Sequence, residues 1–287
     1  MLYANCHNHS TYSDGVLTPC EILQKGKTLG HRALLLTDHD TVRGIPAFLR
    51  EARLEGIQSL VACEFSSRTV GVPFHILGID FDPEDRRIRE ILENGQRKQR
   101  ERSRLLLEFA YERGEVREGL SMEEAMDAFP GRDYFYTGTI VELALKKGVY
   151  TEEDVSLLRE ALRSNPQREA RIKEINGLKY PDGEDVVRAI VKAGGVAVAA
   201  HPAKDFACIK PLLSAGLKGV EVRHPDCTPE QNAECLRLCE EMGLYRLGGT
   251  DHSGPLCGYG KPYCDVPPER GYVTEEEFTA LYERKMG

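Results

Sequence analysis

The sequence predicts an α/β fold interrupted by a helical insertion, and three observations carry that prediction. Strand-like apolar runs alternate with helical patterns over the first 80 residues and again from Gly183 onward. Between them, from about 82 to 180, Arg, Glu, Lys and Gln dominate and apolar residues recur at helical spacing. Polar motifs rich in His and Asp stand at strand ends, where parallel α/β folds assemble their sites.

Leu2–Cys6 reads as a short strand. Thr18 is placed to cap the next helix, with Pro19 at its first position and Glu21 completing a capping box; Gly30 ends it. Ala33–Leu36 is an apolar strand, Ile45–Leu54 a helix, and Gln58–Cys63 a strand ending at Glu64. Phe74–Ile79 is a strand with His75 near its start. In the insertion, Ile88, Ile91, Leu92, Leu105, Leu106 and Phe109 mark a long helical pattern, followed by helices over Ser121–Phe129, Thr139–Lys147 and Glu152–Ala161. Alternation resumes with helix Glu184–Ala193, strand Val196–Ala200, helix Ile209–Ala215, strand Gly219–Val222, helix Pro229–Met242, a strand around Tyr245–Leu247 and a last helix, Thr274–Lys285. The expected division is therefore 1–81 and 181–287 as the main domain and 82–180 as the insertion.

The 287 residues suffice for one large domain or two smaller ones. No apolar run reaches the roughly 18 residues that span a bilayer, and MLYANCHNHS lacks the order of a signal peptide. A cytoplasmic protein without membrane contact is expected. The net charge of -8 argues against extended nucleic acid as partner, although bound cations could still favour a small phosphorylated substrate or a strand end. Nine cysteines without a CxxC pair fit reduced thiols, with Cys235 and Cys239 on one helix face; His31, after a helix, reads as surface.

The chemistry lies at the strand ends: His7, His9 and Asp14; His39; Glu64; His75; His201; Asp251 and His252. Six of the eight histidines stand there, and imidazole with carboxylate suits manganese, iron or zinc. Nine donors exceed the needs of one ion, so two or three divalent ions sharing a carboxylate are expected. On a strand, positions i and i+2 share a face, which lets His7 and His9 grip one ion.

The motifs His7-Asn8-His9 with Ser13-Asp14-Gly15, Thr37-Asp38-His39-Asp40, isolated Glu64 and His75, Ala200-His201-Pro202 and Gly248-Gly249-Thr250-Asp251-His252 together resemble the polymerase and histidinol phosphatase (PHP) family. The resemblance covers residues 1–80 and 181–260, and the long insertion resembles the branch acting on small phosphorylated metabolites and nucleotides. It implies a distorted (β/α)7 barrel with a trinuclear metal centre. His7, His9, Glu64 and Asp251 would hold one ion; Glu64 would bridge to a second, also bound by His75 and His201; Asp14 and His39 would bind a third with a histidine from the last motif. Many relatives carry Asp-x-His there, whereas Asp251 and His252 are adjacent, so His252 reaches the third ion only if the chain turns at Ser253-Gly254-Pro255.

The expected reaction is phosphate-ester hydrolysis by a metal-bound hydroxide held by Glu64, His201 and Asp251, with no nucleophilic Ser13 or Cys6 required. Asp38 and Asp40 would orient an imidazole or be solvated. Arg132, similar in setting to an Arg of related sequences, and Lys204, Arg223 and His224 by their positions are candidates to bind a distal phosphate. The first substrate expectation is a small sugar phosphate or nucleotide, including a cyclic diester such as phosphoribosyl 1,2-cyclic phosphate. The second is a 3′,5′-nucleoside bisphosphate, with trimming of short oligonucleotides from the 5′ end. A non-catalytic metal-binding regulatory module and a metal-dependent amide hydrolase are the readings of other classes.

Overall fold

The structure, a computed structural model, describes residues 3–176, 179–202, 206–253 and 271–286. Strand β1 (Ala4–Asn5) pairs in parallel with β2 (Ala33–Leu34). Helix α1 (Pro19–Thr28) follows β1 and carries the full capping box between Thr18 and Glu21; α2 (Ile45–Leu54) follows β2 and packs against α1.

The second sheet has the order β3-β4-β5-β6-β7, built from Ala62–Thr69, Val72–Ile79, Val196–Ala199, Gly219–Arg223 and Tyr245–Gly248. Its last three strands are parallel, connected by the helices α9 (Ile209–Ala215) and α10 (Pro229–Met242). Strands β3 and β4, and β4 and β5, run antiparallel, which departs from uniform alternation. The cause is local: Val70 (φ 52) and Gly71 (φ 80) make a two-residue turn in left-handed conformation, and such a turn joins only antiparallel strands. Consequently β3 does not stop at Glu64 but continues to Thr69, its Ser66, Ser67 and Thr69 buried in the pair.

Isolated parallel bridges connect the two sheets. Ala33 bridges Gln58 and His39 bridges Glu64 on one side; Asn8 bridges His252 on the other. There the Cys6 N–H donates to the Gly248 carbonyl at 3.0 Å and the Asp251 N–H to that of His7 at 3.0 Å. Alternate residues of these strands, among them Ala4, Cys6, Leu35, Ala62, Leu77, Val198 and Leu247, meet in one core closed by Phe278 and Leu281 of α11 (Glu275–Tyr282). A second core covers the opposite face of the sheet with α8 (Gly183–Lys192), α9 and α10, and includes Cys235 and Cys239.

Between β4 and β5 lie α3 (Arg86–Glu112), α4 (Met122–Ala128), α5 (Thr137–Lys146), α6 (Val155–Ala161) and α7 (Pro166–Asn176). Leu107, Ile140, Val141, Leu143 and Leu158 give this segment a core of its own. The helix α7 was not legible because its apolar stripe is minimal: Ile172 is buried, while Arg168 and Arg171 pair with Glu115 and Glu112. No helix among the described residues is long and apolar enough to cross a membrane. His31 is a correction to the sequence expectation. It is 2% exposed, its ring 4.6 Å from that of Tyr272, because the segment after β7 returns to pair Val273 with Ala4.

Candidate metal centre

His7, His9, Asp14, His39, His201 and Asp251 are delivered by strand ends or loops, and Glu64 and His75 from within β3 and β4. His7 follows β1, and Gly249 lies against it so closely that a Cβ there would fall 2.2 Å from the His7 Cβ. The loop carrying His9 and Asp14 is held by Asp38, which accepts from the Ser10 N–H (2.6 Å), the Ser10 hydroxyl (2.7 Å) and the Ser13 hydroxyl (2.5 Å). Asp38 thus orders the ligand loop through serines, neither solvated nor bonded to an imidazole. Asp40 accepts from the Ser66 N–H at 2.9 Å. Asp40, His201 and Asp251 all have positive φ (49, 32 and 49), a costly conformation that clusters at functional sites.

Glu64 sits at the centre, wholly buried. One carboxylate oxygen, Oε2, lies 3.0 Å from His7 Nε2, 3.2 Å from His9 Nε2 and 3.2 Å from His39 Nδ1. The other, Oε1, lies 2.9 Å from His75 Nδ1 and 3.1 Å from His201 Nε2. Asp251 Oδ1 is 3.0 Å from His9 Nε2 and 3.5 Å from His7 Nε2. His9 Nδ1 and His39 Nε2 reach the two oxygens of Asp14 at 3.5 and 3.7 Å. Three donor groups draw only on the expected ligands: His7, His9, Glu64 and Asp251; His39, Glu64 and His75; His9, Asp14 and His39. Two more, His7, Glu221 and His224, and His224, Asp226 and Asp251, include His224.

The donor chemistry fits divalent cations. His7 Nε2 and His9 Nε2 lie 3.1 Å apart with two carboxylates at the same point, an arrangement of lone pairs that demands a proton or a metal between them. Burial alone would lower the His7 and His9 pKa values. For His7 the carboxylates of Glu221, Glu64 and Asp251, and for His9 those of Asp14, Asp251 and Glu64, outweigh it and raise both well above the imidazole range. Burial opposes ionisation of Glu64 too, but His39, His7 and His75 hold its carboxyl well below the usual range. The carboxylates thus favour positive charge among these rings, which protons or a bound cation can supply.

Residues 5–192 match the sequence profile of the PHP domain. The chain belongs to the PHP family. It is a metal-dependent phosphoesterase, a hydrolase. Among curated PHP relatives, the phosphoribosyl 1,2-cyclic phosphate 1,2-diphosphodiesterase of Eggerthella lenta is 28% identical over 252 residues, covering 86% of this chain and 93% of the relative. The 3′,5′-nucleoside bisphosphate phosphatase of Chromobacterium violaceum is 26% identical over 268 residues, 89% of this chain and 88% of the relative. The crystal structure of a proposed metal-dependent phosphoesterase from Bifidobacterium adolescentis superposes with a TM-score of 0.80 at 22% identity, covering 99% of this chain and 96% of that one.

The remaining candidates of this PHP chain are placed differently. His252 is buried with its backbone carbonyl bonded to the His9 N–H, and its side chain joins none of the close donor groups among the described residues. Arg132 is 7% exposed; its guanidinium binds Glu142 bidentately at 2.8 and 3.0 Å and Thr139 at 3.1 Å. Arg223 binds Glu277 bidentately at 2.7 and 3.0 Å. His224 is 1% exposed and lies 3.2 Å from Asp251. Lys204 lies outside the described residues, as do Gly254 and Pro255 of the expected turn. Sequence reasoning missed Glu221, buried with His7 at 2.9 Å, whose only signal was a carboxylate inside the apolar run Gly219-Val220-Glu221-Val222. It also missed Tyr134, whose ring stacks on His39 at 4.8 Å.

Proposed function

We propose that this PHP enzyme hydrolyses a phosphate ester in a small phosphorylated metabolite, with a cyclic phosphodiester such as phosphoribosyl 1,2-cyclic phosphate as first candidate. The observation that carries the reading is the division of Glu64, with three imidazoles on one oxygen and two on the other. A carboxylate so divided is suited to bridge two ions. His7, His9 and Asp251 would complete one position and His75 and His201 the second, with Asp14, His39 and His9 as a third. Manganese, iron or zinc bound there would supply a water acidic enough to act as nucleophile at neutral pH, and positive charge for the phosphoryl oxygens.

The chain's own residues set the geometry. Glu64 and Asp251 are kept ionised, so both can ligate at neutral pH. The bridges between the two sheets support a distorted (β/α)7 barrel, with 82–180 as an insertion covering the site. Tyr134 stacked on His39 is the contact by which that segment would narrow access to a small substrate. Binding of a distal phosphate by Arg132 or Arg223 would require release from a bidentate carboxylate.

The test is phosphorus NMR of manganese-loaded protein with cyclic phosphodiesters, sugar monophosphates and 3′,5′-nucleoside bisphosphates. Ring opening of the cyclic diester is the expected result. Turnover of bisphosphates alone would select the second reading, favoured by the Chromobacterium violaceum relative. Activity confined to amides or lactones, or fewer than two tightly held ions per chain, would defeat both.

A further inference from the structure

Strand β6 contributes no member to the Glu64-centred donor groups, yet residues at its end touch two members of one of them, His7 and Asp251. Glu221, 0% exposed, places Oε1 2.9 Å from His7 Nδ1, and its Oε2 accepts the His201 N–H at 2.7 Å. Three residues on, His224 places Nε2 3.2 Å from Asp251 Oδ2, and its Nδ1 accepts the Asp226 N–H at 3.2 Å. We infer that Glu221 and His224 are positioning residues, the first setting the ring tautomer of His7 and the second the orientation of Asp251, without either touching metal or substrate. The inference rests on the metal-centre reading above.

Donors and acceptors at the two rings decide which nitrogen carries the proton. An ionised carboxylate only accepts, so His7 Nδ1 must carry a proton, and Nε2, facing the Glu64 carboxylate, is the nitrogen left to offer its lone pair to a bound ion. A backbone N–H only donates, so His224 Nδ1 must be the acceptor. In the neutral ring the proton is then on Nε2, where it is donated to Asp251 Oδ2. That bond leaves Asp251 Oδ1 turned toward His9 and His7. Carboxylate and imidazole partners of this kind commonly fix the rings and carboxylates that bind metals.

The same two residues explain how strained backbone is held. His201 and Asp251 both have positive φ, and each is tied to this short stretch, His201 through its N–H to Glu221 and Asp251 through its carboxylate to His224. Two other roles for His224 fail on geometry. His7, Glu221 and His224, and likewise His224, Asp226 and Asp251, lie close enough to suggest a further cation site, but backbone N–H groups already occupy Glu221 Oε2 and His224 Nδ1, and His224 Nε2 faces Asp251. Direct contact with substrate is opposed by its 1% exposure.

The test has two independent readouts. Long-range proton–nitrogen NMR of the zinc-loaded protein should show His7 protonated on Nδ1 and His224 on Nε2; the opposite tautomer at either ring would overturn the inference for that residue. This measurement needs no variant, and zinc bound with the opposite tautomers would defeat the inference while leaving the metal reading intact. The second readout compares His224→Ala, His224→Gln and Glu221→Gln in manganese titrations and turnover. A glutamine at 224 can still donate an amide N–H to Asp251, whereas alanine cannot. We expect His224→Ala to hold as many ions as wild type but at least about tenfold more weakly, with kcat reduced and KM nearly unchanged, and His224→Gln to recover most of the loss. Glutamine at 221 must turn its NH2 toward either His7 Nδ1 or the His201 N–H, so it too should weaken metal binding. Loss of one ion in both His224 variants would make it a ligand. A raised KM with wild-type metal affinity would make it a substrate contact. Unchanged affinity in all three variants would remove the role altogether.

Discussion

Glu64 Oε1 and His75 Nδ1 meet at 2.9 Å across the β3–β4 hairpin, although His75 stands opposite Ser66 rather than Glu64 in the ladder. They meet because Glu64 and Ser66, two apart, share one face of β3, and directly opposed residues share that face on β4. The hairpin therefore brings a carboxylate from mid-strand and an imidazole from near the next strand's start to one point. Glu64→Ala and His201→Ala should each lower turnover by at least about a hundredfold, beyond the loss expected for a residue that only supports a ligand. Far-ultraviolet circular dichroism should remain that of the folded protein. Wild-type rates in the Glu64 variant would refute the bridging assignment, and in the His201 variant its place at the second ion.

Gly249 tests how tightly the backbone is packed at the site. A Cβ there meets the Cβ, N and Cα of His7 at 2.2 to 2.7 Å, and none of these atoms is the end of a flexible side chain. Gly249→Ala should cost about 1 to 3 kcal/mol in denaturant unfolding and weaken manganese binding by displacing His7. Gly131→Ala, with nothing within 4 Å of the new methyl, is the control. Equal behaviour of the two variants would contradict the close approach.

His31 predicts an acid-sensitive stability outside the metal centre. Burial lowers its pKa from 6.5 to about 4, and neither ring nitrogen has a hydrogen-bond partner among the described residues. Between those pH values the unfolded chain binds a proton that the folded ring refuses, so stability falls as the pH drops through the window and is fully present above 6.5. The full contribution is about 3 kcal/mol. His31→Phe keeps a ring against Tyr272 and removes the titration. The variant should therefore gain on wild type as pH falls from 7 to 4 in urea melts, and a constant difference would count against the burial argument.

Removing divalent ions should destabilise the fold as well as stop turnover. Each ion bound at about 100 times its dissociation constant adds about 2.7 kcal/mol to the native state. Dialysis against a chelator should lower Tm, and manganese should restore it. A Tm indifferent to both treatments would show that the donor groups do not hold ions.

The ligand types and most elements were legible because they rest on local rules. The Thr18–Glu21 capping box, the bounds of α2 and the motifs around His7, His39, His201 and Asp251 are each contained in a short stretch of sequence. Tertiary structure decided who meets whom. Glu221 reaches His7 across 214 positions and His201 reaches Glu64 across 137, and no periodicity carries information over such distances. The sequence also could not show that the guanidinium groups of Arg132 and Arg223 are neutralised by carboxylates of their own, or that His31 is covered by Tyr272. Hydrogen-bond and ion partners are chosen by the packing of distant segments, so the sequence alone determined which side chains can bind a cation, and only the folded chain determined which of them share one.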